Sequence, residues 1–474
     1  MLNFHRPLLA LSLIFLLAAC GSTAPETPDN QDDPVNQGDH DGDGDHDGDG
    51  DGAADLDPPG ESIQSALSRE AEPDVDEGTR AQLSADNRDF AFSLFAQLRE
   101  GDEIEEDENI FLSPHSISIA MAMAYAGADN QTREQMADVL RINLSDDDLH
   151  SAYNALDQEL ATRSEVETED GDAFDLDIVN QTWGQQDFNF EKEYLDILAR
   201  HYGAGMRVVD FINDFEEIRV AINEWVEART NDRIQDLLPE GVINGLTRFV
   251  LVNAIYFYGS WENAFNEELT TDQPFHLADG STVDVPLMTQ EHQYGYFKDD
   301  TTIAASLPYV GEQVSLIAFM PADESDDFYQ WEADLERAHF DVIASAVRPH
   351  RDVQVYFPRF ESEGGFSLKE PFEEMGMKDA FDTCDADFEK ITGIGPCIPM
   401  QSIYISDILH KTFVSIDEEG TEAAAATAVI FGTTDSAVPE VLEVRFDRPF
   451  YYAVYDHGTE TILFLGRLMN PAAE

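Results

Sequence analysis

Glu418-Glu-Gly-Thr-Glu-Ala-Ala-Ala-Ala-Thr-Ala-Val429 decides how this chain is read. Two acids and a Gly precede a run that is nearly all Ala and Thr. The side chains are too small to build a core and too apolar for an ordinary acidic loop. A helical Ala run or a passive linker is one reading. The other is an extended segment whose side chains are small because something packed must admit them. The surrounding sequence separates the two.

Composition sets the limits. The 474 residues carry 27 Lys and Arg against 97 Asp and Glu, a net charge of −70, with 42% hydrophobic residues. A sizeable core is available. A surface this acidic repels nucleic-acid phosphate and anionic lipid, so no nucleic-acid partner is expected and no basic patch recruits a polyanion. It stays hydrated at high salt. Melting temperature is expected to rise toward molar salt, and no gain across a salt series would refute that reading.

The N-terminus reads as targeting sequence. Arg6 precedes the apolar run Leu8 to Leu17, which is too short to span a membrane in the mature protein. Leu17-Ala18-Ala19-Cys20-Gly21 resembles a bacterial lipobox. Residues 1–19 are therefore expected to be a lipoprotein signal peptide and Cys20 the lipidated first residue. The membrane would be met through that anchor alone, placing the protein outside the cytoplasm as an outer-membrane or cell-surface lipoprotein. Residues 20–83 read as an acidic, Asp/Gly-rich disordered linker built around DHDGDGDHDGDGDG (39–52). Asp45-x-Asp47-x-Asp49-Gly50 matches the opening of a calcium loop, but Leu56 stands where the closing Glu belongs. A solvated spacer is the better reading, and no cofactor is expected. Cys384 and Cys397 remain, in a context that permits a disulfide, as a bonded pair or as two thiols.

From 84 to 474 the chain reads as one α+β domain. Phe90, Ala91, Leu94, Phe95 and Leu98 recur at helical spacing. Ser113-Pro114-His115-Ser116 opens a second helix that is apolar nearly all round and so should be buried. Phe249 to Tyr258 has the pattern of a central strand covered on both faces. Further strands are expected at 353–360, 442–446, 450–456 and 462–469. The chain has no Gly-x-Ser-x-Gly elbow, no His-Glu-x-x-His and no phosphate-binding Gly-rich loop ending in Lys. No catalytic or metal residues are assigned, and the protein is not expected to be an enzyme.

Asn109-Ile-Phe-Leu-Ser113-Pro114-His-Ser116, Asn223-Glu-Trp225, Thr230-Asn231, Ile234-Gln-Asp-Leu-Leu-Pro239 and Leu251-Val-Asn253-Ala-Ile-Tyr-Phe-Tyr-Gly259-Ser-Trp261 follow in order. Tyr404 to Lys411, Asp417 to Ala426, Arg448-Pro449-Phe450 and Phe464-Leu-Gly466-Arg467 complete the series. In this order and spacing the chain resembles the serpin family of serine protease inhibitors. The resemblance implies three β-sheets, eight or nine helices and an exposed reactive-centre loop. It also implies an inhibitor that is consumed once: a serine, or cysteine, endopeptidase cuts the loop and is held as an acyl-enzyme while the loop inserts into the central sheet. A non-inhibitory binding or structural serpin is the alternative.

Carried onto this sequence, the hinge is Glu418, Gly420, Thr421, Glu422, Ala423, Ala424, Ala425 and Ala426. Ser113, Ser116, Asn253 and His410 would form the polar cluster beneath the opening sheet. The family spacing places the reactive bond at Thr434-Asp435, with Phe431-Gly432 the alternative register. The target protease would favour small or hydrophobic residues, because no Arg or Lys lies between 420 and 444. A monomer is expected. The alternation of an extended strand agrees: Thr421, Ala423, Ala425 and Thr427 would face inward, and Glu422, Ala424 and Ala426 outward. Gly420 would give the backbone freedom to turn as insertion starts. Trp183 and Trp261 read as core aromatics.

Overall fold

The computed structural model describes residues 57–101, 104–165, 167–168, 171–172, 174–347, 350–421 and 441–473. In chain order the first elements are β1 (Glu61–Ile63), α1 (Glu77–Glu100), β2 (Ile110–Leu112), α2 (Pro114–Gly127), α3 (Asn130–Val139), α4 (Asp146–Ala161), β3 (Glu167–Thr168), β4 (Gly171–Asp172) and β5 (Phe174–Gln185). Next come α5 (Lys192–Tyr202), β6 (Met206–Val209), α6 (Phe211–Arg229), β7 (Phe249–Ser260), β8 (Thr271–His276), β9 (Thr282–Lys298), β10 (Thr302–Pro308), β11 (Val314–Pro321), α7 (Phe328–Ala333) and α8 (Arg337–Ala346). The last are β12 (His350–Pro358), β13 (Phe360–Ser367), α9 (Lys369–Met375), α10 (Glu389–Thr392), β14 (Leu409–Ile416), β15 (Gly420–Thr421), β16 (Leu442–Arg445), β17 (Phe450–Asp456) and β18 (Thr461–Leu468). Among the described residues there are ten α-helices, one beyond the expected range, the last a four-residue turn.

Three sheets result. One has seven strands in the order β1-β6-β5-β7-β15-β14-β13, and the second runs β16-β12-β9-β10-β11-β17-β18-β2 with β8 on β9. The third is the pair β3–β4. Helix α2 contacts both β7 and β18, and every one of its residues is buried. That is why its sequence is small and apolar all round: no face of it meets water. Ser113 caps it, its hydroxyl accepting the Ser116 N–H, and Pro114 occupies the first turn, where no helical donor is needed.

The polar residues of the sequence motifs act as backbone staples. Asn109 Oδ1 accepts the N–H groups of Met469 (2.8 Å) and Asn470 (3.0 Å), pinning β2 to the end of β18. Asn223 exchanges two bonds with the Leu238 backbone, at 2.8 and 3.0 Å. Arg467, 1% exposed, pairs with buried Glu332 at 3.2 Å and donates to the Glu108 carbonyl at 2.8 Å. Buried groups paired in this way fix one arrangement of loops about the core.

The fold begins before residue 84, contrary to the linker boundary read from composition. Strand β1 pairs antiparallel with β6, at Glu61↔Val208 through Ile63↔Met206. Pro59 O accepts the indole N–H of fully buried Trp183 at 3.0 Å. Arg69 reaches Asn154 and Asp157 at 2.7 and 2.5 Å, and Glu70 pairs with Arg200 at 2.9 Å. Helix α1 starts at Glu77 behind its Asp76 cap, well before Phe90, where the apolar spacing becomes visible. This arm looks like linker because it is polar, and it is held by polar contacts rather than by a hydrophobic stripe. Gly60 sits at φ +96°, and a Cβ there would lie 2.5 Å from Val209 Cγ1. Gly60→Val should therefore cost about 1–3 kcal/mol of arm docking. Limited proteolysis should then cut the 57–70 region faster while the core transition is retained.

Candidate functional site

The site lies where the middle of the seven-stranded sheet fails to close. Strand β7 is paired along its length with β5, from Phe174↔Gly259 to Gly184↔Phe249. Its other edge is nearly free. Strands β7 and β14 run parallel, yet among the described residues they share one register pair, Lys411↔Ala254. Below it, a cavity of about 60 Å³ separates Val250 and Val252 from Ile405 and Leu409, with Leu237 and Ile243 covering it. Above it, two hinge residues have entered. Gly420 pairs with Ser260 and Thr421 with Gly259, while Thr421 also pairs with Ile416 of β14.

A tight turn drives that entry. Asp417 accepts the N–H groups of Glu419 (2.9 Å) and Gly420 (3.1 Å), and its own N–H donates to Gly420 O at 3.0 Å. Burial raises the Asp417 carboxyl above the usual range despite those donors. Gly420 does not take a left-handed φ in this state. A Cβ there would meet Gly259 O at 2.2 Å. The close approach of two backbones is a reason for glycine here that the sequence did not reveal.

Side chains lock the turn to the sheet. Glu418, 4% exposed, accepts the Thr270 hydroxyl at 2.6 Å and pairs with Arg359 at 3.5 Å. The backbone N–H groups of Trp261 and Phe265 donate to Glu419 O and Glu418 O, at 2.9 and 2.7 Å. The Trp261 indole N–H donates to Asp417 O at 2.9 Å, and its ring stacks on Tyr309 at 4.7 Å. Thr421 faces inward, 1% exposed, and shares a 2.8 Å hydrogen bond with the hydroxyl of fully buried Tyr309. Tyr309→Phe removes that partner and leaves a buried hydroxyl, so it should cost about 1–3 kcal/mol. Unfolding in denaturant checks this, with a midpoint shift at unchanged slope.

Beneath the sheet, the polar cluster is assembled from α2 and β14. The Ser113 N–H donates to His410 Nε2 at 3.0 Å, and the Ser113 hydroxyl donates to Leu463 O at 2.7 Å. Ser113 and Ser116 are fully buried and His410 is 2% exposed. Burial pushes the His410 imidazole down to about 3, so it is neutral and can accept that N–H. Asn253 lies in β7 next to the Lys411↔Ala254 pair, level with His410, and its side chain lies outside the described residues. Thr412 adds a contact that sequence reading missed, its hydroxyl donating to Phe111 O at 2.9 Å. Together these bonds hold β14 to the core while β7 stays free to part from it.

Tyr309, Thr270 and Arg359 were also missed. Each is remote in sequence from the hinge, and no local pattern marks it. Trp261 is more than a core aromatic, since it caps the turn. Cys384 and Cys397 form a disulfide. Glu422, Ala423, Ala424, Ala425, Ala426, the reactive-bond residues Thr434 and Asp435, their alternative Phe431 and Gly432, and Cys20 lie outside the described residues. Among the described residues no group of His, Cys, Asp and Glu could hold a metal, and no helix is long and apolar enough to cross a membrane.

Comparisons with known proteins agree with this geometry. Residues 85–471 match the family model described as serpin (serine protease inhibitor). The human leukocyte elastase inhibitor (Homo sapiens) is 35% identical over 396 residues, covering 82% of this chain and all of that protein. The crystal structure of the thermophilic serpin tengpin in the native state superposes with a TM-score of 0.71 at 28% identity, over 86% of this chain and all of that one. Uncleaved ovalbumin superposes with a TM-score of 0.70 at 27% identity, over 82% of this chain and all of that one.

Proposed function

The chain belongs to the serpin family, and from that premise we propose that it is an inhibitory serpin that traps an endopeptidase by inserting its cleaved loop between β7 and β14. The observation that carries this reading is the single register pair joining those strands, with Gly420 and Thr421 already seated above it. The residues that would follow them in are small, Ala423 to Ala426.

The chemistry is acyl transfer interrupted. The serine hydroxyl of the protease attacks the Thr434 carbonyl, its proton passes to the leaving amine of Asp435, and the acyl-enzyme bond forms as the peptide bond breaks. Insertion then moves the acylated residue away from the hinge before water can release it. The protein supplies no catalytic group and is used once. A protease that accepts a small or apolar residue fits, as the name of the leukocyte elastase inhibitor suggests by analogy. The lipobox-like Leu17-Ala18-Ala19-Cys20-Gly21 supports a membrane anchor at Cys20, and Cys20→Ala should then move the protein to the soluble fraction.

Incubation with elastase-, subtilisin- and chymotrypsin-like enzymes tests the reading. A detergent-resistant complex is expected with at least one, and mass spectrometry of the released C-terminal peptide identifies the cut bond. Clean turnover by all of them would defeat the proposal.

A further inference from the structure

We propose that the Cys384–Cys397 disulfide is a redox control on the opening of the seven-stranded sheet, acting through a clasp that Arg248 makes across the foot of the gap. Its effect on trapping rests on the function proposed above. Arg248 immediately precedes β7 and is 5% exposed. Its carbonyl accepts the Gln185 N–H at 2.9 Å, which fixes it to the end of β5. Among the described residues its guanidinium bonds end on backbone carbonyls: Thr247 O at 2.8 Å, Gly245 O at 3.0 Å and Met400 O at 3.2 Å. The first two lie in its own loop. The third crosses the gap.

The segment that follows Met400 is bound to the other half of the sheet. The Ile405 N–H donates to Ala380 O at 2.9 Å, the Leu368 N–H to Ile408 O at 2.8 Å, and the Ser367 hydroxyl to Asp407 at 2.6 Å. Between this segment and β7 lies the cavity of about 60 Å³, where side chains forfeit contact across the gap and a polar clasp weighs more. The turn that presents the Met400 carbonyl has little core behind it, since residues 397–400 are exposed. Cys397 and Met400 both take a left-handed φ, +59° and +63°, which residues other than glycine hold only under constraint. Part of that constraint is Ser402, whose hydroxyl accepts the Ile398 N–H at 2.7 Å and donates to Gly395 O at 2.8 Å. The disulfide adds the rest by joining Cys397 to a stretch seated on α3. There the Asp387 N–H donates to the Thr132 hydroxyl at 2.9 Å, and its carboxylate accepts the Asn130 amide at 2.8 Å.

Both cysteines are exposed, so the disulfide is open to exchange. A dithiol reductant completes the step. One of its thiolates attacks a sulfur to form a mixed disulfide, and the other displaces the protein and leaves the reductant as its own disulfide. Two electrons and two protons end on Cys384 and Cys397 as thiols. The turn then relaxes, Met400 O leaves Arg248, and the foot of the sheet parts more readily.

Hydrogen–deuterium exchange on the full chain tests this without any protease. Reduction with dithiothreitol, followed by alkylation and removal of the reductant, should speed exchange across 249–252 and 405–409 about tenfold, equivalent to about 1.4 kcal/mol. Cys384→Ser with Cys397→Ser should match the alkylated wild type, and both positions are exposed, so folding is retained. Arg248→Met with the disulfide intact should reach the same rate, and reducing that variant should add nothing. Equal exchange in oxidised and reduced wild type overturns the proposal. So does a reduction effect that persists undiminished in Arg248→Met, because the disulfide would then act without the clasp. With a protease that is trapped, the reduced chain should show a smaller share of molecules cleaved without trapping, and equal shares overturn the link to insertion. Faster exchange with no complex from any enzyme would defeat the trapping reading and keep the clasp as a redox control on the sheet.

Discussion

Thr421→Arg should convert the protein from a trap into a substrate. Thr421 is 1% exposed, and its hydroxyl meets the buried Tyr309 hydroxyl at 2.8 Å. Tyr309 in turn stacks under Trp261. Arg at 421 must place a guanidinium where a small hydroxyl now sits against those rings. Burying an unpaired charge costs several kcal/mol. The uncleaved chain can escape that cost by releasing the hinge from its seat, but insertion must return position 421 between the strands, so the cost falls on insertion. Loop insertion competes with hydrolysis of the acyl-enzyme, and about 3 kcal/mol added to the insertion barrier slows it more than about a hundredfold. The cleaved chain should then appear on a denaturing gel with free protease and without the high-mass complex. Thr421→Ser keeps the hydroxyl and the small volume and should trap normally. If the Arg variant still traps at wild-type stoichiometry, insertion does not pass through this position.

Acidification from pH 7.5 to pH 5 should destabilise the native protein by several kcal/mol. Burial pushes His115 down to about 4 and His410 to about 3. Burial, together with neighbouring His201, pushes His150 down to about 3. Unfolded, each titrates near 6.5, so between that pH and its folded value the unfolded chain binds more protons. Stability is therefore full above about pH 6.5 and is lost as pH falls through it. At pH 5 each buried histidine contributes about 2 kcal/mol of that loss. Asp417 and Glu419 act in the opposite sense, because burial raises their carboxyls and the folded state takes up protons first. His115→Leu isolates the histidine effect. Among the described residues neither ring nitrogen of His115 has a hydrogen-bond partner, so an apolar replacement forfeits no bond seen there and removes one titrating group. Urea midpoints at the two pH values should differ clearly for the wild type and less for the variant. Equal wild-type midpoints would contradict the buried-neutral reading.

Much of the site could be read locally. Ser113 and Pro114 announce a helix start by residue chemistry alone, and the structure puts the cap at that position. The strand expected at 450–456 is β17 to the residue. Alternation along an extended hinge places Thr421 inward, and it is inward. The strand expected over 353–360 instead breaks at Arg359, which leaves β12 and β13 in different sheets. Nothing in a window of that length signals a change of sheet, because both halves alternate in the same way.

The sequence by itself determined the family, the α+β class, the buried second helix and the small-residue hinge. These depend on residue type and short spacing, which survive without knowing what lies across the fold. Tertiary structure decided the rest. It made Gly420 a point of backbone contact with Gly259 and gave Thr421 a partner in Tyr309, 112 residues away. It drew polar residues from 57 onward into the fold as an arm on β6. It also tied the loops at 245 and 400 together through Arg248, which donates to Gly245 O and Met400 O. Contacts of that kind join segments whose separation along the chain carries no periodic signal, so only the folded backbone brings them together.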